Sequence, residues 1–160
     1  MTSCHVVVDD VRSDPTPALD LDRWAALATS AATTDGGVGE LTLTFVDADE
    51  IASLNLEHMG KPGPTDVLSF PMDDEPMAGV PTLLGDIVVC PEVADAQCAE
   101  HAGTFLDELA LLVVHGVLHV LGHDHAEPDE TALMRARELA LLVEHHWRGP
   151  APDGFRQTHD

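Results

Sequence analysis

His115-Gly116-Val117-Leu118-His119-Val120-Leu121-Gly122-His123-Asp124-His125 places four histidines within eleven residues. Upstream of it, Leu109 to Val114 is unbroken apolar sequence, and Thr104 with Asp107 three residues later forms a helix cap. The pattern predicts a buried helix from Thr104 to about Leu121, ended by Gly122. His115 and His119 stand at i and i+4, so their rings share one face a turn apart. That spacing lets two nitrogens meet one metal at ~2.0–2.1 Å. A straight helix would carry a histidine six residues further on to another face. A left-handed Gly122 turns the chain back, so that His125 closes a third corner. Three neutral imidazoles and an open fourth position describe a catalytic zinc site, with one Zn²⁺ per chain. Two unpaired imidazoles in so apolar a stretch would be costly, which argues against an ordinary core role for His115 and His119.

His123 falls in the turn, where a surface role or an outer contact fits better than ligation. Asp124 is the candidate catalytic residue, with three roles open: orienting a ligating histidine, acting on metal-bound water, or favouring the turn. His5, His58, His101, His145, His146 and His159 are isolated or terminal and are expected in solvent. The spacing H-x-x-x-H-x-x-G-x-x-H is that of the metzincin peptidases, which need glutamate directly after the first histidine as general base. Gly116 occupies that position and argues against ordinary peptide hydrolysis.

Outside this stretch the chain reads as alternating short strands and helices. Residues 4–9 carry a β-branched run and are a strand, and Leu41 to Val46 alternates with period two. A helix is expected from Thr16 to about Thr33, ended at Asp35-Gly36-Gly37. Asp47 with Glu50 starts another, running to about His58. Val67 to Phe70 and Leu84 to Val89 are strands flanking a loop at 72–82. Pro91 opens a short helix, and Pro128 opens a last one through about Trp147. Residues 1–148 are expected to form one domain and 149–160 a flexible tail.

A second segment joins the first: Asn55-Leu56-Glu57-His58-Met59-Gly60-Lys61-Pro62-Gly63-Pro64-Thr65-Asp66-Val67-Leu68-Ser69-Phe70-Pro71, followed by Gly85-Asp86-Ile87. Together with His115 to His125, these residues resemble the YbeY family of bacterial rRNA maturation factors over about residues 40–145. The resemblance implies an α+β, zincin-like single domain: a small mixed sheet packed with helices, the metal site at the end of the buried helix. It implies a metal-dependent endoribonuclease specific for single strands, acting at the 3′ end of small-subunit rRNA and in ribosome quality control. The family's three metal-ligand histidines fall on His115, His119 and His125.

The family's arginine four residues after the asparagine is Met59 in this chain, and a thioether cannot hold a phosphate. Lys61, the one lysine of the chain, is the candidate substrate contact in its place, or else an ordinary loop residue. Asp66 and Ser69 are as suited to pinning the loop-to-strand turn as to touching substrate. Two other functions compete: a zinc hydrolase or peptidase of another substrate, and a ribosome assembly factor with a mainly structural zinc.

Charge sets the remaining limits. Seven Lys and Arg stand against 29 Asp and Glu, a net charge of −22, and the acids are spread over both halves. No basic arm or polybasic membrane patch exists in the sequence. At 44% hydrophobic residues the chain is too apolar for an acidic disordered segment. Its longest apolar run is far short of a membrane span of ~20 residues. No secretory signal is visible, and Cys4, Cys90 and Cys98 are widely spaced, so reduced thiols and a cytoplasmic location are expected. The expected partners are rRNA and ribosomal small-subunit components, with no membrane and no DNA. Non-specific attraction to phosphate must be weak or repulsive, so RNA is met through the metal, a patch around Lys61, or a ribosomal partner.

Overall fold

The computed structural model describes residues 4–72, 82–123 and 127–157. Four strands, β1 (Cys4–Asp10), β2 (Gly39–Phe45), β3 (Val67–Pro71) and β4 (Leu83–Val89), form one mixed sheet in the order β1-β2-β4-β3. β1, β2 and β4 run parallel, and β3 is antiparallel to β4, with Leu68 opposite Val88. Helix α1 (Leu21–Thr34) links β1 to β2, α2 (Ala48–Met59) precedes β3, and α3 (Pro91–Gln97), α4 (Phe105–Val120) and α5 (Pro128–Leu142) follow β4. The result is a small α+β domain. Among the described residues no single helix is long and apolar enough to cross a membrane. Cys4, Cys90 and Cys98 are free thiols.

Alternation on the strands decides the core. Leu41, Leu43 and Phe45 point from β2 into the cluster that holds Trp24, Leu27, Ala28, Ala31 and Ala32 of α1 and most of α4. Ile51, Leu68, Val88 and Cys90 form a smaller cluster beneath α2. Twelve of the sixteen residues of α4 are buried, so its apolar run is the centre of the protein. Each fully buried Leu or Val there contributes about 1.5–3 kcal/mol.

Several boundaries differ from the sequence expectation. α1 starts at Leu21, because Asp20 is its N-cap and accepts the amide of Arg23. Asp47 sits at the N-cap position of α2, but its carboxylate accepts the amide and hydroxyl of Ser13, both at 2.9 Å. The last helix ends at Leu142 and continues as a π-helical turn, Val143–Trp147. Thr104 caps α4 as expected, accepting the amide of Asp107 at 3.2 Å. Of the expected loop at 72–82, residues 73–81 lie outside the described residues. In the expected tail, Phe155 meets the Trp147 ring edge-on at 4.8 Å, and Gln157 reaches α5.

Candidate metal centre

α4 delivers His115 and His119 on its last two turns, with ring centroids 4.6 Å apart and planes at 78°. Gly122 adopts φ +104, in the region that favours glycine, and the amide of His123 returns to the carbonyl of Leu118 at 2.9 Å. The chain therefore does reverse at the end of α4, where the sequence required it to. Asp124 and His125 lie outside the described residues. Among the described residues no group of three or more histidine, cysteine, aspartate or glutamate side chains is placed to hold a metal.

His115 carries its own partner. Its Nδ1 lies 2.5 Å from Oε2 of Glu138 on α5, and both side chains are nearly excluded from solvent. A carboxylate on Nδ1 orients the ring, as such partners do for histidines that bind metals. Glu138 is itself held, since Gln157 donates Nε2 to its Oε1 at 3.0 Å and to the carbonyl of Arg135 at 2.8 Å. His115 and His119, on one helical face, are two of the three ligands expected from the sequence, and a carboxylate behind His115 suits an imidazole that binds a metal. Sequence reasoning did not find Glu138. Its signal was its place on the apolar stripe of α5, four residues after buried Met134 and three before buried Leu141.

Gly116 has a steric cause. A Cβ built there would stand 2.6 Å from Cγ2 of Ile87 and 3.3 Å from the hydroxyl of Ser69. α4 lies so close on β3 and β4 at this point that no side chain fits, and a glutamate base least of all. Ser69, from the second segment, is thus a wall of this contact.

Asp66 is a pin. Its Oδ1 accepts the amide of Val67 at 2.7 Å, and its Oδ2 accepts Gln97 Nε2 at 2.7 Å. The same Gln97 amide reaches the fully buried Glu108 of α4 at 2.8 Å, and Glu108 also accepts the amide of Ala102 at 3.1 Å. This polar chain ties the start of β3 to α3 and α4, so each buried carboxylate has its hydrogen bonds. Lys61 is exposed in the loop after α2, and Met59 is 46% exposed at that helix's end.

Three expectations about histidines are corrected. His145 is largely covered, and its Nε2 lies 2.9 Å from the hydroxyl of Thr34. His146 is not solvated: its side chain is 3% exposed and its Nε2 lies 2.8 Å from Asp107. His101 is largely covered and stands 3.4 Å from Glu108. Both sit near α4, whose first turn needs acids that in turn need donors. His123 meets Asp35 at 2.9 Å, and Arg137 holds the other oxygen of that carboxylate at 2.5 Å.

Residues 14–146 match the family model described as endoribonuclease YbeY. The chain belongs to the YbeY family. The family protein of Salinispora tropica is 46% identical over 143 residues, which are 81% of this chain and 90% of that protein. The YbeY endoribonuclease of Mycolicibacterium gilvum is 51% identical over 113 residues, 66% of this chain and 63% of that protein. The match thus spans under two thirds of the length of the mycobacterial-type YbeY relatives. Among solved structures, the solution structure of TM1509 from Thermotoga maritima is similar at TM-score 0.56 and 26% identity, covering 89% of this chain and 92% of that one.

Proposed function

We propose that this chain is a metal-dependent endoribonuclease for single-stranded RNA, acting in rRNA processing at the 3′ end of small-subunit rRNA and in ribosome quality control. It works in the cytoplasm with ribosomal small-subunit components as partners. One zinc ion is held by His115, His119 and His125 in a zincin-like arrangement. Support comes from the YbeY relatives, and the single observation that carries the reading is the Glu138 carboxylate on Nδ1 of His115.

When bound, a divalent metal supplies Lewis-acid chemistry, polarising a phosphoryl oxygen or lowering the pKa of a water to about 7. The residues of the chain do the rest. Glu138 fixes the ring of His115, and Gln157 fixes Glu138. Gly116 leaves the peptidase's base position empty of any side chain. RNA tolerates that loss because its 2′-OH is an internal nucleophile. Asp124 is the candidate for steering a proton at the attacking oxygen, and Lys61 for a point-charge contact to phosphate.

A second reading, an assembly factor with a mainly structural zinc, rests on Met59 standing where the family has arginine. One paired assay separates the readings: single-stranded RNA and casein, each with wild type and His119→Ala, zinc content measured alongside. RNA cleavage that His119→Ala abolishes supports the nuclease. Equal background cleavage by both proteins sinks it. A variant that loses zinc and unfolds, beside an inactive wild type, supports the assembly factor. The product ends identify the nucleophile, because a 2′,3′-cyclic phosphate excludes direct attack by water in the first step.

A further inference from the structure

We propose that the cleft between α1 and the π-helical turn is a phosphate-binding site built on Arg23 and Arg148. It is a cavity of about 440 Å³ lined by Asp20, Arg23, Ser30, His145, His146 and Arg148. The proposal does not depend on a metal at His115.

The chain has only seven Lys and Arg residues against 29 Asp and Glu. Arg12 and Arg137 are consumed by ion pairs with Asp10 and Asp35. Among the described residues, Arg23 and Arg148 form no ion pair with a carboxylate. Two guanidiniums lining one cleft both gain from a shared anion.

Arg23 is held in advance. Asp107 accepts Nε2–H of His146, so the other ring nitrogen, Nδ1, is an acceptor, and the guanidinium of Arg23 lies 3.4 Å from it. The guanidinium also stands over the Trp24 ring, 5.4 Å from its centroid. One N–H is thereby anchored and the remaining donors of the fork are left for a ligand, the geometry that suits phosphate. Arg148 is the one described non-glycine residue with positive φ, at +54. L-residues enter that conformation at a cost, and here it turns the chain at the end of the π turn, where Arg148 lines the cleft. One carboxylate shares the cleft: Asp20 lines it and caps α1 through the amide of Arg23 at 3.3 Å, while Glu144 lies 3.7 Å from His145. His145, which also lines the cleft, lies 2.9 Å from the hydroxyl of Thr34 through its Nε2.

Two sources carry this chemistry, inorganic phosphate and the phosphodiester of a polynucleotide. The test titrates each, as potassium phosphate and as hexauridylate, into the full zinc-supplied chain while side-chain Nε–H signals of arginine are followed by NMR. The variants are Arg23→Gln, Arg148→Gly and Arg156→Gln. Glycine accepts φ +54 freely, so Arg148→Gly removes the charge without straining the turn. Saturable shifts of Arg23 and Arg148, and about tenfold weaker binding in both of their variants but not in Arg156→Gln, support the site. Hexauridylate binding more tightly than phosphate assigns it to RNA, and the reverse assigns it to a free anion. Absence of shifts at both arginines, or equal weakening in Arg156→Gln, overturns it. Loss of RNA cleavage in His119→Ala with these shifts intact leaves the two sites independent.

Discussion

Oε2 of Glu138 lies 2.5 Å from Nδ1 of His115, joining two helices through residues 23 positions apart. The pair is buried, so its carboxylate cannot be replaced by water without cost. Glu138→Gln keeps the volume but removes the charge that makes the imidazole basic. Zinc affinity, measured by competition with a chromophoric chelator, is expected to fall about 10–100-fold, the usual effect of losing such a carboxylate. Gln157→Leu should cost less, since Gln157 acts on Glu138 from a more exposed position. An affinity within twofold of wild type in Glu138→Gln would show that the contact is merely structural.

Gly116 gives a sharper steric prediction. A methyl there meets Cγ2 of the fully buried, β-branched Ile87, which has nowhere to move. Overpacking costs about 1–3 kcal/mol and exceeds the roughly 1 kcal/mol that alanine gains over glycine within a helix. Gly116→Ala is therefore expected to lower the urea midpoint. Ile87→Ala should make the same substitution neutral or favourable, since it removes the obstructing methyl. A double-mutant cycle with no coupling would refute the close approach.

What the sequence could reveal tracked local signals. The apolar run of α4, its Thr104 cap and the turn at Gly122 are each written in consecutive residues, and the structure carries all three. Alanine and leucine content suggests a helix from Thr16, but the cap at Asp20 sets the start of α1 at Leu21. The π turn after Leu142 has no local signature, because its partners, Thr34, Arg23 and Asp107, come from other elements. Glu138 has only its place on the apolar stripe of α5 as a signal, and its partner lies on α4. A glutamate in a helix reads as solvated until another helix places an imidazole against it. The third proposed ligand, His125, rests on spacing and on the family resemblance, and lies outside the described residues.

Asp10 and Arg12 set a pH dependence. Two hydrogen bonds from the guanidinium of Arg12, at 2.9 and 2.8 Å, hold the Asp10 carboxyl below the ordinary aspartate value of 3.8. Arg12 also donates to the carbonyl of Pro17 at 2.9 Å, so the pair pins the segment that leads into α1. A depressed folded-state pKa contributes stability that is fully present above the unfolded value. It is lost as pH falls through the folded one. Asp10→Asn is thus expected to destabilise the protein by about 1.5–3 kcal/mol at pH 7, the range for a hydrogen bond to a charged group. The difference should shrink once pH drops below 3.8 and vanish in stronger acid. Denaturation midpoints at pH 7, 5, 4 and 3 check this, and a gap that stays constant to pH 3 would contradict it.

The charge of −22 makes the last prediction. Most nucleases lose substrate as salt rises, because each phosphate contact releases counterions. This chain reverses the balance at long range, since its acids repel a polyanion over a Debye length of about 10 Å at 0.1 M salt. A cleft with two arginines or a lone Lys61 acts only within that distance. Cleavage of free single-stranded RNA is therefore expected to be slow at low salt and to rise as moderate salt screens the repulsion. The measurement is the initial rate across a potassium chloride series at fixed zinc. A rate that falls steeply from the lowest salt would contradict this and point to cationic contacts that outweigh the repulsion.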